Sequence, residues 1–483
     1  MRPLRGTLWA ACCAPLLGVG AVRAQQPSGV DGAAWAARSG PSALDSEPVR
    51  RLAFAAFLGE VGRENLDYAA QAFSVSIAAA QVSLARLFPN PGLAVGTDFD
   101  VAGEHQATAN DVALTWTLLL AGKRGAHIAA ARGQLAAARA QLDDFLRTLR
   151  GQAGDAYADA VHAEQVYARK RRTAEDLDRL VSINERRVAV GDIGDIDLAQ
   201  SRVDAAQFHA ELLAAADDVR QARLVMTALL TPRRLDTLVG PLSPANVEPF
   251  AAVGPDAPLS PDQLSVTPPG PIAAPASPFS GSLDLDSLVR AALATRPDVV
   301  AAHRLQDAAD AQVRIARGDR WPDLGLAAQE THFTAGTNPI DPTPLYNSVS
   351  LGLSLPIPFS SLNRGEVAAA RFGAAQAAAQ VRSTEWRVAI DVHAAWATFG
   401  AAQAQLAQYS SSVLGDAERV RRARLYSYEH GAASLLDFLT AEQTANGVYL
   451  AFYDAEQQYM HALIALGQAT DTWTFVTPPN PGP

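Results

Sequence analysis

The sequence predicts a mostly α-helical protein with membrane β-strands, in which a strand pair followed by a long coiled-coil helical hairpin occurs twice. Three observations predict it. A shift of 231 positions lays Gln81, Val82, Ala85, Arg86, Pro91 and Leu93 on Gln312, Val313, Ala316, Arg317, Pro322 and Leu324, and a shift of 240 lays Arg124, Gly125, Gly191 and Asp197 on Arg364, Gly365, Gly431 and Asp437. The register changes only within the strand region, as in a duplicated unit whose insertions fall in loops on one face. Proline is absent from 92–231 and again from 359–477, long enough in each repeat for a helical hairpin. Four short runs alternate apolar and small or polar residues with the period of two that marks a ribbon with one apolar face.

The first 24 residues read as an export signal: Arg2 and Arg5, an apolar stretch over 8–22, then Val22-Arg23-Ala24 before Gln25. The other reading is lipidation at Cys12 after Ala10 and Ala11, with Trp9 standing where an aliphatic residue is wanted. Cleavage removes both cysteines and three arginines, taking the formal charge from -10 to -13. A chain without cysteine suits an oxidising envelope. After this segment no window offers about 18 uninterrupted apolar residues, so strands, not a helix, are the membrane candidates. Abundant alanine, with 7% aromatic and 19% charged residues, suits closely packed helices better than a thick globular core.

Residues 25–48 read as an extended arm or a disordered one, and 49–231 as the first repeat. Residues 232–282 are so dense in Pro, Ala, Ser and Gly that they form a linker or an irregular belt. The second repeat follows over 283–470, and 471–483 is a tail. Each repeat opens with an amphipathic helix, over 49–87 and 283–317, stopped by Pro89-Asn90-Pro91 or Trp321-Pro322. Strands come next. Leu93, Val95, Thr97, Phe99 and Val101 alternate with Ala94, Gly96, Asp98 and Asp100; Leu324 and Leu326 open the matching strand. The apolar positions Val112, Leu114, Trp116 and Leu118, with Val349, Leu351 and Leu353, are the expected lipid-facing residues. Such strands are near the nine to eleven residues that cross a bilayer when tilted. In lipid every backbone amide needs a partner, and single-chain bacterial barrels begin at about eight strands. Four strands cannot close alone, so the chain is expected to oligomerise.

From 125 to 188, Leu135, Leu142, Leu149, Ala156, Ala163 and Leu177 keep a seven-residue spacing interrupted at Lys170. A helix of about 60 residues extends roughly 90 Å, and the spacing predicts coiled-coil packing on the next helix, 195–230. The second repeat gives helices over 364–429 and 435–467. Gly191 and Gly431 are the expected helix-terminating glycines, and Asp197 and Asp437 the expected N-terminal stabilisers of the returning helices. Asp192 and Asp195, gathered by threefold symmetry, would form an acidic aperture that attracts cations; a solvated charged tip is the other reading.

No two histidines stand at helical metal-pair spacing, and His-Glu-x-x-His, Gly-x-Ser-x-Gly and phosphate-loop patterns are absent. No cofactor, metal or enzymatic chemistry is expected. Arg169-Lys170-Arg171-Arg172 lies among acidic residues on a helix and reads as a solvated face, not a nucleic-acid patch. A periplasmic coiled-coil adaptor would share the hairpins but carry a compact β-domain with polar faces.

The junctions 85–91 and 316–322, the strand exits Ala121-Gly122-Lys123-Arg124-Gly125 and Leu355-Pro356-Ile357-Pro358-Phe359, and Asn363-Arg364-Gly365-Glu366 together resemble the TolC-type outer-membrane factors of tripartite efflux and secretion systems. The last two motifs look most like the branch serving heavy-metal exporters. The resemblance spans essentially the whole chain after the export signal. It implies a homotrimer with a twelve-stranded outer-membrane barrel, continued through the periplasm by an α-helical barrel. The conduit would be passive and loaded by a periplasmic adaptor and an inner-membrane RND pump. It also implies adaptor-docking tips at Val190, Gly191, Asp192, Ile193 and Gly194, and at Gly431 and Ala432, where His430 departs from the family's Val-Gly pair. A type I protein-secretion channel would share these features.

Overall fold

The computed structural model describes residues 50–52, 54–99, 108–230, 250–252, 284–334, 345–356, 363–409 and 411–472. In chain order these form β1 (Arg50–Leu52), α1 (Phe54–Glu64), α2 (Leu66–Ala85), β2 (Gly92–Phe99), β3 (Thr108–Leu118), α3 (Lys123–Ala189), α4 (Asp195–Leu229) and β4 (Phe250–Ala252). The second repeat gives α5 (Leu285–Thr295), α6 (Pro297–Gly318), β5 (Leu324–Phe333), β6 (Tyr346–Ser354), α7 (Arg364–Gln408), α8 (Ser411–Glu429) and α9 (Leu435–Thr470). The export segment, the arm and nearly all of the linker and tail lie outside the described residues.

The duplication holds to the residue. Shifted by 231, α1 superposes on the bounds of α5 and the start of α2 on the start of α6; shifted by 240, the end of α3 falls on the end of α8 and the start of α4 on the start of α9.

The opening helices are not continuous, contrary to the sequence expectation. Residues 50–52 are a strand paired in parallel with 250–252, and each helix breaks in its middle. In the first repeat the break is made by Asn65, 2% exposed, whose side chain accepts from the Tyr68 amide and donates to the Leu229 carbonyl at 3.1 Å. An Asn N-cap offers the backbone an alternative to the helical bond, so the first helix stops there. In the second repeat Arg296 occupies the matching place before Pro297, which fills the first position of the new helix. Its guanidinium reaches Asp298, Asp391 and the Ala469 carbonyl, which stands 240 positions after Leu229. Both breaks are thus tied to the last turn of the returning helix. The helix expected over 364–429 is also divided, at Tyr409. That point lies 240 positions after Arg169, so the interruption in the seven-residue spacing at Lys170 breaks a helix only in the second repeat; α3 runs through it.

The four long strands form one antiparallel sheet in the order β2-β3-β5-β6. Residues directly opposite share a face. The register therefore aligns Leu93, Leu114, Ala328 and Leu351 in one row, and Trp116, Leu326 and Leu353 in the next. The other face carries Ala113, Thr115, Ala327, Gln329, Ser350 and Gly352. No described helix is long and apolar enough to cross a membrane.

Below the sheet the helices pack as paired hairpins. Alanine and glycine dominate the contacts: a Cβ on Gly133 would lie 3.0 Å from the Ala308 backbone nitrogen, and Ala126, Ala130, Ala311 and Ile315 form one buried cluster. Further down, Arg421 of α8 bridges Glu418, Glu442 and Asp176, while Arg169 donates to Asn446 at 2.6 Å. Burial pushes the Glu418 carboxyl up, but the hydrogen bond from Arg421 and the charges of Arg421, Arg169 and Arg422 outweigh it and hold the group below the usual range.

Between these levels the His461 ring of α9 bridges two carboxylates one turn apart on α3, Asp155 at 2.7 Å and Asp159 at 2.8 Å. Those hydrogen bonds push His461 up to about 9 from 6.5. A raised histidine stabilises the fold fully below its ordinary value and ceases to do so as pH rises through the folded one. Wild-type protein in detergent should therefore exceed His461→Gln in melting temperature by the largest margin below pH 6.5, with the margin vanishing above about 9. A margin independent of pH, read by circular dichroism across a pH series, would show that the ring acts by packing alone.

Candidate functional site

The sites expected from the sequence lie at opposite ends of α3, whose 67 residues span about 100 Å. At the strand end, the expected lipid-facing residues fall on the single apolar face that the register defines. Val112, Leu114, Trp116, Val349, Leu351 and Leu353 are 40–84% exposed, and Leu118 is half-buried. Leu93 and Val95 complete the face from the edge strand, both above 70% exposed. Two rows toward the far end change character. Glu330 joins the row of Val95, Val112 and Val349, and the next is polar throughout, with Thr97 donating to Asn110 at 3.0 Å and His332 paired with Asn347 at 2.6 Å. At the helix end Trp116 donates its indole N–H to the Pro89 carbonyl at 2.9 Å, and the Arg124 guanidinium stacks on Phe88 at 4.1 Å. Amphipathic aromatic rings with one polar contact suit a boundary between apolar and wet surroundings.

At the other end the chain reverses twice with the same geometry. After α3, the Gly191 amide bonds the Val188 carbonyl and the Asp192 amide bonds the Arg187 carbonyl, each at 2.9 Å. After α8, Gly431 bonds Tyr428 and Ala432 bonds Ser427. Both are Schellman motifs, which need a left-handed residue, and Gly191 (φ 74) and Gly431 (φ 72) supply it. The expected helix-terminating role of these glycines is what the turns require.

The two returns start differently. Ser434 and Asp437 form a reciprocal capping box at the start of α9, and those hydrogen bonds hold the Asp437 carboxyl below its usual range. At the start of α4 the N-cap is Gly194, without a side-chain cap, so Asp197 acts there through the helix dipole only. Asp197 and Asp437, the expected N-terminal stabilisers, thus act differently, because only the second turn has a hydroxyl to complete the box.

Of the two candidate aperture acids, Asp192 is engaged. Its carboxylate lies 2.6 Å from Arg187, whose guanidinium also donates to the Tyr428 carbonyl at 3.2 Å and sits over that ring at 5.1 Å. This pairing compensates one of the two charges proposed for an acidic aperture. Asp195 is exposed in the first turn of α4. Arg187 and Tyr428 join the tips of the two hairpins, and the Tyr428 hydroxyl donates to buried Asn184 at 2.6 Å. Beneath them Leu177, Leu180, Ala205, Leu435, Phe438 and Leu439 form a cluster shared by both hairpins.

Three exposed apolar residues crown the tips: Val190 at 80%, Ile196 at 84% and Leu436 at 73%. Ile196 and Leu436 were missed in the sequence, although they are 240 positions apart and so occupy the same place in the repeat. Ile193 is half-buried and His430 exposed, its ring tilted against that of Tyr426 at 4.0 Å. Among the described residues no group of three His, Cys, Asp or Glu is placed to hold a metal ion.

An open sheet with one apolar face, set on long helical hairpins with glycine-turned tips, defines an outer-membrane channel protomer. The family model described as outer membrane efflux protein matches residues 58–231 and 288–472, and the chain belongs to that family. Its members are efflux channels of the outer membrane, not enzymes. The cobalt-zinc-cadmium resistance protein CzcC of Cupriavidus metallidurans is 24% identical over 421 residues, 87% of this chain and 88% of the relative. The outer membrane efflux protein BepC of Brucella suis is 25% identical over 350 residues, 72% and 68% of the two chains. The outer membrane protein VceC of Vibrio cholerae shares the fold with a TM-score of 0.62 at 19% identity, over 86% of this chain and 95% of that structure.

Proposed function

We propose that this protein is the outer-membrane channel of a tripartite efflux system, a passive homotrimeric conduit from periplasm to exterior. The observation that carries the reading is the open four-stranded sheet, whose outer strands β2 and β6 have no further strand partner among the described residues and lie beside an apolar face. In hydrocarbon such edges must close, and three copies supply twelve strands, a size within the known range of membrane barrels. The helices would continue the barrel into the periplasm. Similarity to a cobalt-zinc-cadmium resistance protein along most of both chains supports divalent heavy-metal cations as cargo, delivered by an inner-membrane RND pump and a periplasmic adaptor.

The tips would receive the adaptor. Val190, Gly191, Asp192, Ile193 and Gly194, with Gly431 and Ala432, make two adjacent turns, and Val190, Ile196 and Leu436 supply apolar surface that a partner could cover. Asp195 would carry most of the acidic aperture, because Asp192 is compensated by Arg187.

Light scattering on detergent-extracted protein, corrected for bound detergent, should give the mass of three chains; a monomer would end the conduit reading. In planar bilayers Asp195→Asn should reduce the preference for cations over anions more than Asp192→Asn does. Identical selectivity in the wild type and both variants would dispose of the acidic aperture. Gly191→Trp should lose crosslinking to the adaptor while keeping the trimer mass, and normal crosslinking would remove this turn from the docking surface.

A further inference from the structure

The internal duplication specifies which helix faces meet between neighbouring copies of the chain. Inside one chain, α3 of the first repeat packs on α6 of the second, burying Ala308, Ala311 and Ile315. The same three places on α2, 231 positions earlier, are Ile77, Ala80 and Leu84. All three are exposed, Ile77 at 60% and Leu84 at 66%. They repeat the spacing of the buried strip, so α2 carries a face built like that of α6 but left open.

The complementary face is equally legible. On α3 the strip that receives α6 includes Ala130 and Gly133, with Gly133 so close that an added Cβ would touch Ala308. The matching places on α7, 240 positions later, are Ala370 and Gly373. A Cβ on Gly373 would meet nothing within 4 Å. The open space suits the substitution opposite: isoleucine stands at position 77 where the internal interface has alanine at 308. Glu366, in the place of Ala126, ends the apolar strip.

We propose that Ile77, Ala80 and Leu84 of one protomer pack on Ala370 and Gly373 of the next, with Ile77 seated on Gly373 as Ala308 is on Gly133. The occupant of both faces is a second copy of this chain. Each protomer offers one face and receives the other, a heterologous contact that forms a ring when its rotation closes. The strand order agrees with it. β3 and β5, which lie between the repeats inside the chain, continue into α3 and follow α6, whereas the open edges β2 and β6 follow α2 and continue into α7. The inference rests on the trimeric reading above and adds to it the seam and its register.

The test is disulfide crosslinking of the full chain in outer-membrane fractions, with Ile77→Cys and Gly373→Cys combined in one protein. Each single variant and the pair Ile77→Cys with Ala375→Cys, whose α7 residue lies on another side of that helix, serve as comparisons. Mild oxidation should shift the Ile77/Gly373 pair to dimer and trimer mobility, reversed by reductant, and leave the comparisons as single chains. The mass of each reduced variant is read by light scattering. A trimeric mass without crosslinking of this pair, or with the Ala375 pair crosslinking as well or better, overturns the seam and leaves the trimer standing. A monomeric mass for the wild type removes both.

Discussion

The constraint on which the rest of the structure depends is the unpaired backbone at the two edges of the β2-β3-β5-β6 sheet. In hydrocarbon each unsatisfied amide or carbonyl costs several kcal/mol. Among the described residues the sheet has one apolar face and no fifth strand on either side. In the trimeric reading such a sheet is a fragment of a closed surface. The strand order also shows how the fragment is extended, because β3 and β5 already pair one repeat with the other inside the chain. What the edges need is another pairing between repeats, and the helices below need the matching contact between neighbouring hairpins.

Duplication keeps geometry while letting chemistry diverge. Asn65 and Arg296 break their helices at the same place and donate to carbonyls at the same place, Leu229 and Ala469, yet one does so as an amide and the other as a buried guanidinium held by Asp298 and Asp391. For Arg296 burial works against its charge, and the Asp298 hydrogen bond followed by the charges of both carboxylates more than offsets it, so the group is held above its usual value. The two tips diverge in the same manner. Their Schellman turns are alike because only a left-handed residue completes the bond pair, whereas their N-caps, Gly194 and Ser434, are free to differ.

Much of this was legible in the sequence because it depends on periodicity and on residues with special backbone needs. Alternation placed Leu114, Trp116, Leu351 and Leu353 on one face, and the glycines at 191 and 431 marked both reversals. The breaks at Asn65 and Tyr409 were not legible as breaks, and the one at Arg296, which Pro297 signals, was passed over. Asn65 sits inside a long amphipathic run, and its cap on the Tyr68 amide is held by a second hydrogen bond to a carbonyl 164 positions away. The contact of Arg187 with Tyr428 was hidden for the same reason, whereas the pairing of Arg187 with Asp192 is local, across one turn. Arg187 is visible beside the turn, but its partner on α8 is brought there by the hairpin packing.

Alanine-lined helices pack closely but hold little information about register, since one small residue fits a groove much as another does. Here the register between α3 and α9 is carried by polar groups at several levels. Arg147 donates to the Gln468 carbonyl, His461 bridges Asp155 and Asp159, and Arg169 binds Asn446. Near the tips Arg187 and the Tyr428 carbonyl join α3 to α8. A buried polar pair is costly when its partner shifts away, so these contacts favour one alignment over its neighbours more than they add stability. The positions that match them in the repeat carry Tyr409 for Arg169, Ala206 for Asn446, Ala395 for Asp155 and Gln221 for His461. The His461 and Arg169 ties therefore cannot form where α7 and α8 would face α4 of a neighbour, whereas Arg387 keeps the side chain of Arg147. In the proposed ring most of the polar ties fall within protomers and the seams between protomers are left mainly to packing. The two hairpins of one chain would then move together more readily than either would separate from its own partner.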